Sequence, residues 1–156
     1  MTSFYPVRKI ATFPSGASIY VGSEATAQNG RFLSTNRIGL IVNCTKDVPF
    51  YYPDLYRGIR LPVDDSPADV REFARHVKSV CATIDRFVRA GSSILIHCYA
   101  GISRSASCCA AFLVLYCGMS ASQAVSFVRS KKPETFSNGE VFGSALRNLR
   151  NIRKRR

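Results

Sequence analysis

Two unbroken apolar runs, Ile38–Asn43 (IGLIVN) and Ser93–His97 (SILIH), constrain the fold more than any other feature of the chain. A strand with water on one side alternates apolar and polar residues. A continuous apolar run of this length belongs instead to a strand covered on both faces. Ser18–Gly22 (SIYVG) and Tyr56–Val63 read as two further strands. Helical patterns separate these runs, and strands alternating with helices predict an α/β domain with a largely parallel sheet.

The helices carry their own punctuation. Ser66-Pro67-Ala68-Asp69 supplies an N-cap, a proline at the first helical position and an acid in the first turn. Beyond it Val70, Phe73, Val77, Val80, Cys81, Ile84 and Val88 share one face, and Gly91 ends the helix. A second helix starts near Ser103 and runs through SASCCAAFLVLY to Gly118. It is apolar nearly all round, which marks it as the buried central helix. Ser120 with Gln123 forms a capping box for a third, which ends before Pro133. Asn138 is placed to cap a fourth, with Phe142, Ala145, Leu146, Leu149 and Ile152 on one face. At 156 residues the expectation is one domain, residues 1–156, with a basic tail at about 147–156.

Composition removes several function classes. The longest apolar stretch, about Ala106 to Tyr116, is far short of the roughly 18 residues of a membrane span. MTSFYPVRK has no apolar core of a signal peptide, and Thr2 is not the glycine that myristoylation requires, so an intracellular protein, cytoplasmic or nuclear, is expected. Six cysteines occur without a C-x-x-C pair and with only two histidines, so neither a disulfide framework nor a metal site is expected. The net charge is +12 and uneven: residues 101–156 carry 10 basic side chains against 2 acids. RNLRNIRKRR at the C-terminus suits an anionic partner.

Chemistry concentrates in ILIHCYAGISRSAS, residues 94–107. A buried strand ends at His97-Cys98, a five-residue loop follows, and Arg104 opens a helix. The backbone N–H groups of Tyr99, Ala100, Gly101, Ile102 and Ser103 have no helical partner and can converge as an anion nest at the positive end of the helix dipole. Gly101 lets the backbone curl, and the planar fork of Arg104 grips two oxygens of a phosphate. A bound phosphate would lie over Cys98. The same field favours the thiolate, since thiols at helix N-termini beside cations fall to about 3.5–7.5. This predicts nucleophilic catalysis with a phosphocysteine intermediate.

HCYAGISRS resembles the signature loop of the cysteine-dependent protein phosphatases, H-C-x-x-G-x-x-R-[ST], and GISRSAS is most similar to the dual-specificity branch. IYVGS, IVNCT, LPVDD and the Asn138 region fall where that family's minimal catalytic domain has its landmarks. The resemblance implies a five-stranded sheet flanked by helices, protein tyrosine phosphatase-like, and no cofactor. It makes Cys98 the nucleophile and Arg104 the phosphate-binding residue. Ser105 becomes the hydroxyl that helps the thiolate leave, and His97 the residue that orders the loop. Asn138 becomes a support behind it. The family's acid follows an L-P-x-x run, which selects Asp65, with Asp64 as the alternative. The wider family also forms a disulfide at its nucleophile, for which Cys44 would be the partner here. An uncharged loop favours phosphoproteins over inositol lipids, and a short chain implies a shallow pocket open to phosphoserine, phosphothreonine and phosphotyrosine. The alternatives are an RNA 5′-end, phospholipid or phosphoglycan phosphatase, and a phosphate-binding pseudophosphatase.

Overall fold

The computed structural model describes residues 5–152. Its sheet has five strands in the order β1-β2-β5-β3-β4. These are β1 (Arg8–Thr12), β2 (Ser18–Gly22), β3 (Ile38–Asn43), β4 (Arg57–Arg60) and β5 (Ser93–His97). β2, β5, β3 and β4 run parallel, and β1 joins β2 antiparallel. β5 is buried at all five positions, as its composition requires. The expected strand at Tyr56–Val63 contracts to Arg57–Arg60.

Three elements escape the sequence reading. β1 (RKIAT) is an edge strand in which only Ile10 is buried, so it carries charge instead of a period. The helices α1 (Glu24–Gln28) and α2 (Gly30–Thr35) have five and six residues. Helices so short are held by packing and leave little periodicity to read.

The larger helices are α3 (Val70–Arg89), preceded by a 3₁₀ turn at Pro67–Asp69, then α4 (Arg104–Cys117) and α5 (Ala121–Lys131). They cover one face of the sheet together with the short α6 (Gly143–Arg147). Phe73 of α3 stacks on Phe142, ring centroids 4.4 Å apart, which locks α3 to the start of α6. α4 is buried from Arg104 to Tyr116. Cys117, at its end, is exposed. The other face is covered by α1, α2 and the aromatic segment that holds Tyr51, Tyr52 and Tyr56.

One correction falls in the last quarter of the chain. Asn138 caps no helix: α6 starts at Gly143 with Phe142 at its N-cap. The intervening chain is occupied by a turn with Phe136 and Gly139 at positive φ. Of the basic tail, Arg147 and Arg150 are described, whereas Arg153, Lys154, Arg155 and Arg156 lie outside the described residues.

The register places the site. Gly22 and Asn43 both pair with His97, and Asn43 pairs with Arg60, so four parallel strands end at one level. In open parallel sheets ligands bind beyond this carboxyl edge.

Candidate active site

β5 delivers Cys98 to that edge, and the chain then turns sharply before α4. Gly101 makes the turn with φ +79, and a Cβ there would lie 2.7 Å from the carbonyl oxygen of Gly22. Only glycine fits both the conformation and the approach to β2. The loop is tied down from outside as well. Glu24 N–H donates to the Tyr99 carbonyl at 3.0 Å, and Phe136 N–H donates to the Ile102 carbonyl at 2.7 Å.

Cys98 is buried in the bowl so formed. Gly101 N–H points at its Sγ from 3.3 Å, and Ser105 Oγ, one turn into α4, lies 3.2 Å away. Arg104 is also buried, and its Nη1 donates to the Val63 carbonyl at 2.9 Å. The guanidinium sits 5.2 Å over the Tyr99 ring, whose hydroxyl donates to Asp47 at 2.7 Å. The Arg104 fork is thus fastened to the segment that carries the acid candidates.

The structure separates those candidates. Ser103 Oγ donates to Asp65 at 2.6 Å, bringing that carboxylate to the signature loop. Asp64, one residue away, points elsewhere and pairs with Lys46 at 3.1 Å. Asp69 also pairs with Lys46, at 3.0 Å, and accepts the Asp64 N–H at 2.7 Å. These two bonds, the backbone one first, hold its carboxyl below the usual carboxylate range.

His97 faces the opposite side of the sheet from Cys98, against Ala27, Ile41 and Tyr56. Its Nδ1 lies 3.3 Å from the Cys98 carbonyl, which can only accept, so the ring proton belongs on Nδ1. Burial lowers its pKa to about 4. The ring is therefore neutral at physiological pH and donates that hydrogen bond to the start of the loop. A consequence for stability follows. Between pH 6.5 and about 4 the unfolded chain binds a proton that the native state refuses, so stability falls as pH drops through this window. Going from pH 7 to 5 costs about 2 kcal/mol at one proton per site. Denaturant melts of His97→Asn at both pH values are expected to lose this part of the slope, and an unchanged slope would refute the burial argument.

Asn138 is exposed, and the loop receives its hydrogen bond from Phe136. Phe136 holds φ +61, a conformation costly for a bulky residue and retained where surroundings fix it. No local signal in the sequence marks it. Cys44 follows β3 and donates its N–H to the His97 carbonyl at 2.8 Å. No disulfide joins it to Cys98, and burial pushes its thiol pKa well up.

Comparison with known proteins agrees with this geometry. The family model "Dual specificity phosphatase, catalytic domain" matches residues 19–152. Human dual specificity phosphatase 28 is 33% identical over 116 residues, 74% of this chain and 65% of its own length. Thus the chain spans about two thirds of that relative. Dual specificity protein phosphatase 1B of Arabidopsis thaliana is 31% identical over 77% of this chain and 71% of its own. The crystal structure of human DUSP28 superposes with a TM-score of 0.81 at 30% identity, covering 93% of this chain and 94% of that one. A mouse putative dual specificity phosphatase, crystallised with zinc tungstate, gives 0.79 at 28% identity, covering 94% and 87%. With its signature loop at the carboxyl edge of the sheet and a family match over most of its length, the chain belongs to the dual specificity phosphatase family.

Proposed function

We propose that this chain hydrolyses phosphate monoesters on tyrosine, serine and threonine side chains of proteins through a phosphocysteine formed on Cys98. One observation carries the reading: the Asp65 carboxylate reaches the signature loop that holds Cys98, 2.6 Å from Ser103 Oγ. A phosphate seated on that loop would meet the Cys98 sulfur as nucleophile and the Asp65 carboxyl as proton donor.

In the first step the Cys98 thiolate attacks phosphorus and the ester P–O bond breaks. Asp65 gives its proton to the departing oxygen. The loop N–H groups and Arg104 hold the equatorial oxygens, where charge gathers in the transition state. In the second step the Asp65 carboxylate takes a proton from water, the oxygen attacks phosphorus, and the P–S bond breaks. Ser105, 3.2 Å from the sulfur, donates to the leaving thiolate. Tungstate, which accompanies the mouse relative, is a tetrahedral oxyanion of the shape this bowl would take.

The residues between Cys98 and Arg104 carry no charge, so nothing in the loop grips a second phosphate. This favours phosphoproteins over inositol lipids. The reading places the chain inside the cell, where phosphoproteins are found and unpaired thiols persist. Among the described residues no helix is long and apolar enough to cross a membrane. The basic excess of residues 101–156 reads as a contact for an anionic partner.

The test is a ranking by kcat/KM over a phosphotyrosyl peptide, a phosphothreonyl peptide, inositol phospholipid vesicles and RNA bearing a 5′-phosphate. Both peptides are expected to lead. Faster turnover of the lipid or the RNA would reject the protein-substrate reading.

A further inference from the structure

The chain leaving β3 folds into a small knot. Asn43, fully buried, donates from Nδ2 to the Val48 carbonyl at 2.7 Å. Its Oδ1 accepts from Thr45 N–H at 3.1 Å and from Thr45 Oγ1 at 2.7 Å. Val48 N–H donates back to Thr45 Oγ1 at 3.0 Å, and Arg60 Nη1 donates to the Thr45 carbonyl at 3.0 Å. A buried network with its groups satisfied is rigid. Lys46 and Asp47 project from this knot side by side, exposed and opposite in charge.

Each reaches a different loop of the site. Asp47 accepts from Tyr99 in the signature loop. Lys46 Nζ lies 3.1 Å from Asp64 Oδ2 and 3.0 Å from Asp69 Oδ2, on either side of Asp65 in sequence. The turn between them is closed on itself. Asp64 N–H donates to Asp69 at 2.7 Å, Ser66 N–H to the Asp64 carbonyl at 2.9 Å, and Ala68 N–H to Ser66 Oγ at 3.2 Å. Fastening Asp64 and Asp69 to a rigid knot therefore sets the position of the whole turn. The two carboxylates raise the Lys46 pKa, so the cation persists across the neutral range.

We propose that Lys46 is a positioning residue for the general acid: anchored by the Asn43 knot, it holds the Asp64–Asp69 turn closed so that Asp65 meets the leaving oxygen. The proposal rests on Asp65 being the acid. Exposed ion pairs add little to global stability, so the clamp is too weak to hold the fold but strong enough to bias a loop. Its loss should therefore appear in chemistry that needs the proton.

Lys46→Met is expected to lower kcat about fivefold on a phosphotyrosyl peptide and much less on an activated aryl phosphate, with the melting temperature little changed. Lys46→Arg, which keeps the charge, is expected to recover most of the loss. In an Asp65→Ala background Lys46→Met should add nothing, because there is no acid left to position. The proposal is overturned if Asp65→Ala is selective for poor leaving groups while Lys46→Met slows both esters equally or neither. It also falls if Lys46→Met costs its fivefold again on top of Asp65→Ala. Were Asp65→Ala itself to show no selectivity, the acid assignment would fail first, and the clamp with it.

Discussion

Asp65→Ala is expected to slow hydrolysis of a phosphotyrosyl peptide by about 100-fold or more, the usual worth of a positioned general acid. The same change should cost far less on an activated aryl phosphate. A phenoxide with a pKa near 10 is a poor leaving group and needs the proton as the P–O bond breaks. An activated phenoxide leaves nearly as well without it. Asp64→Ala is expected to show no such dependence on the leaving group beyond the smaller effect of unfastening one end of the Lys46 clamp. The two aspartates are neighbours in sequence, but only Asp65 accepts from Ser103 at the mouth of the loop. Measuring kcat for both variants on both esters separates them. A leaving-group-dependent loss in Asp64→Ala and none in Asp65→Ala would move the assignment by one residue.

That pair also shows where the sequence stopped being informative. The Cys98-to-Arg104 spacing after an all-apolar strand is local, and the physics of a strand end, a curled loop and a helix N-terminus could be read directly from it. The α3 face was equally legible, since Phe73, Val77, Val80, Cys81, Ile84 and Val88 are all buried. Choosing between Asp64 and Asp65 needed a family resemblance, because two adjacent acids in a turn have no period to say which points where. In the structure Lys46 takes Asp64 from 18 residues away, while Asp65 meets Ser103 at the loop.

The other gaps have the same cause. Asn43 reads as the polar end of a strand, and its knot with Thr45 and Val48 appears only when the chain doubles back. Asn138 has the local look of a helix cap, yet the turn set by Phe136 and Gly139 delays the helix to Gly143. The support behind the signature loop comes from the Phe136 backbone, whose N–H any residue but proline would supply. A backbone donor leaves no residue-type signature. Long-range ties and main-chain contacts were thus invisible, whereas burial patterns and the catalytic spacing were not.

In the proposed reaction Cys98 makes and breaks the bond to phosphorus. Its sulfur is buried beneath the loop with Gly101 N–H and Ser105 Oγ directed at it. Among the described residues neither of these two contacts is a base, and His97 lies on the other face of the sheet. A serine in its place would keep the shape of the bowl but would have nothing to take its proton. The decisive measurement is turnover of a phosphotyrosyl peptide by Cys98→Ser, alongside its affinity for tungstate and its melting curve. A loss of at least about 10,000-fold in kcat is expected, with oxyanion binding and folding retained. Cys98→Ser turning over the peptide at a substantial fraction of the wild-type rate would contradict it.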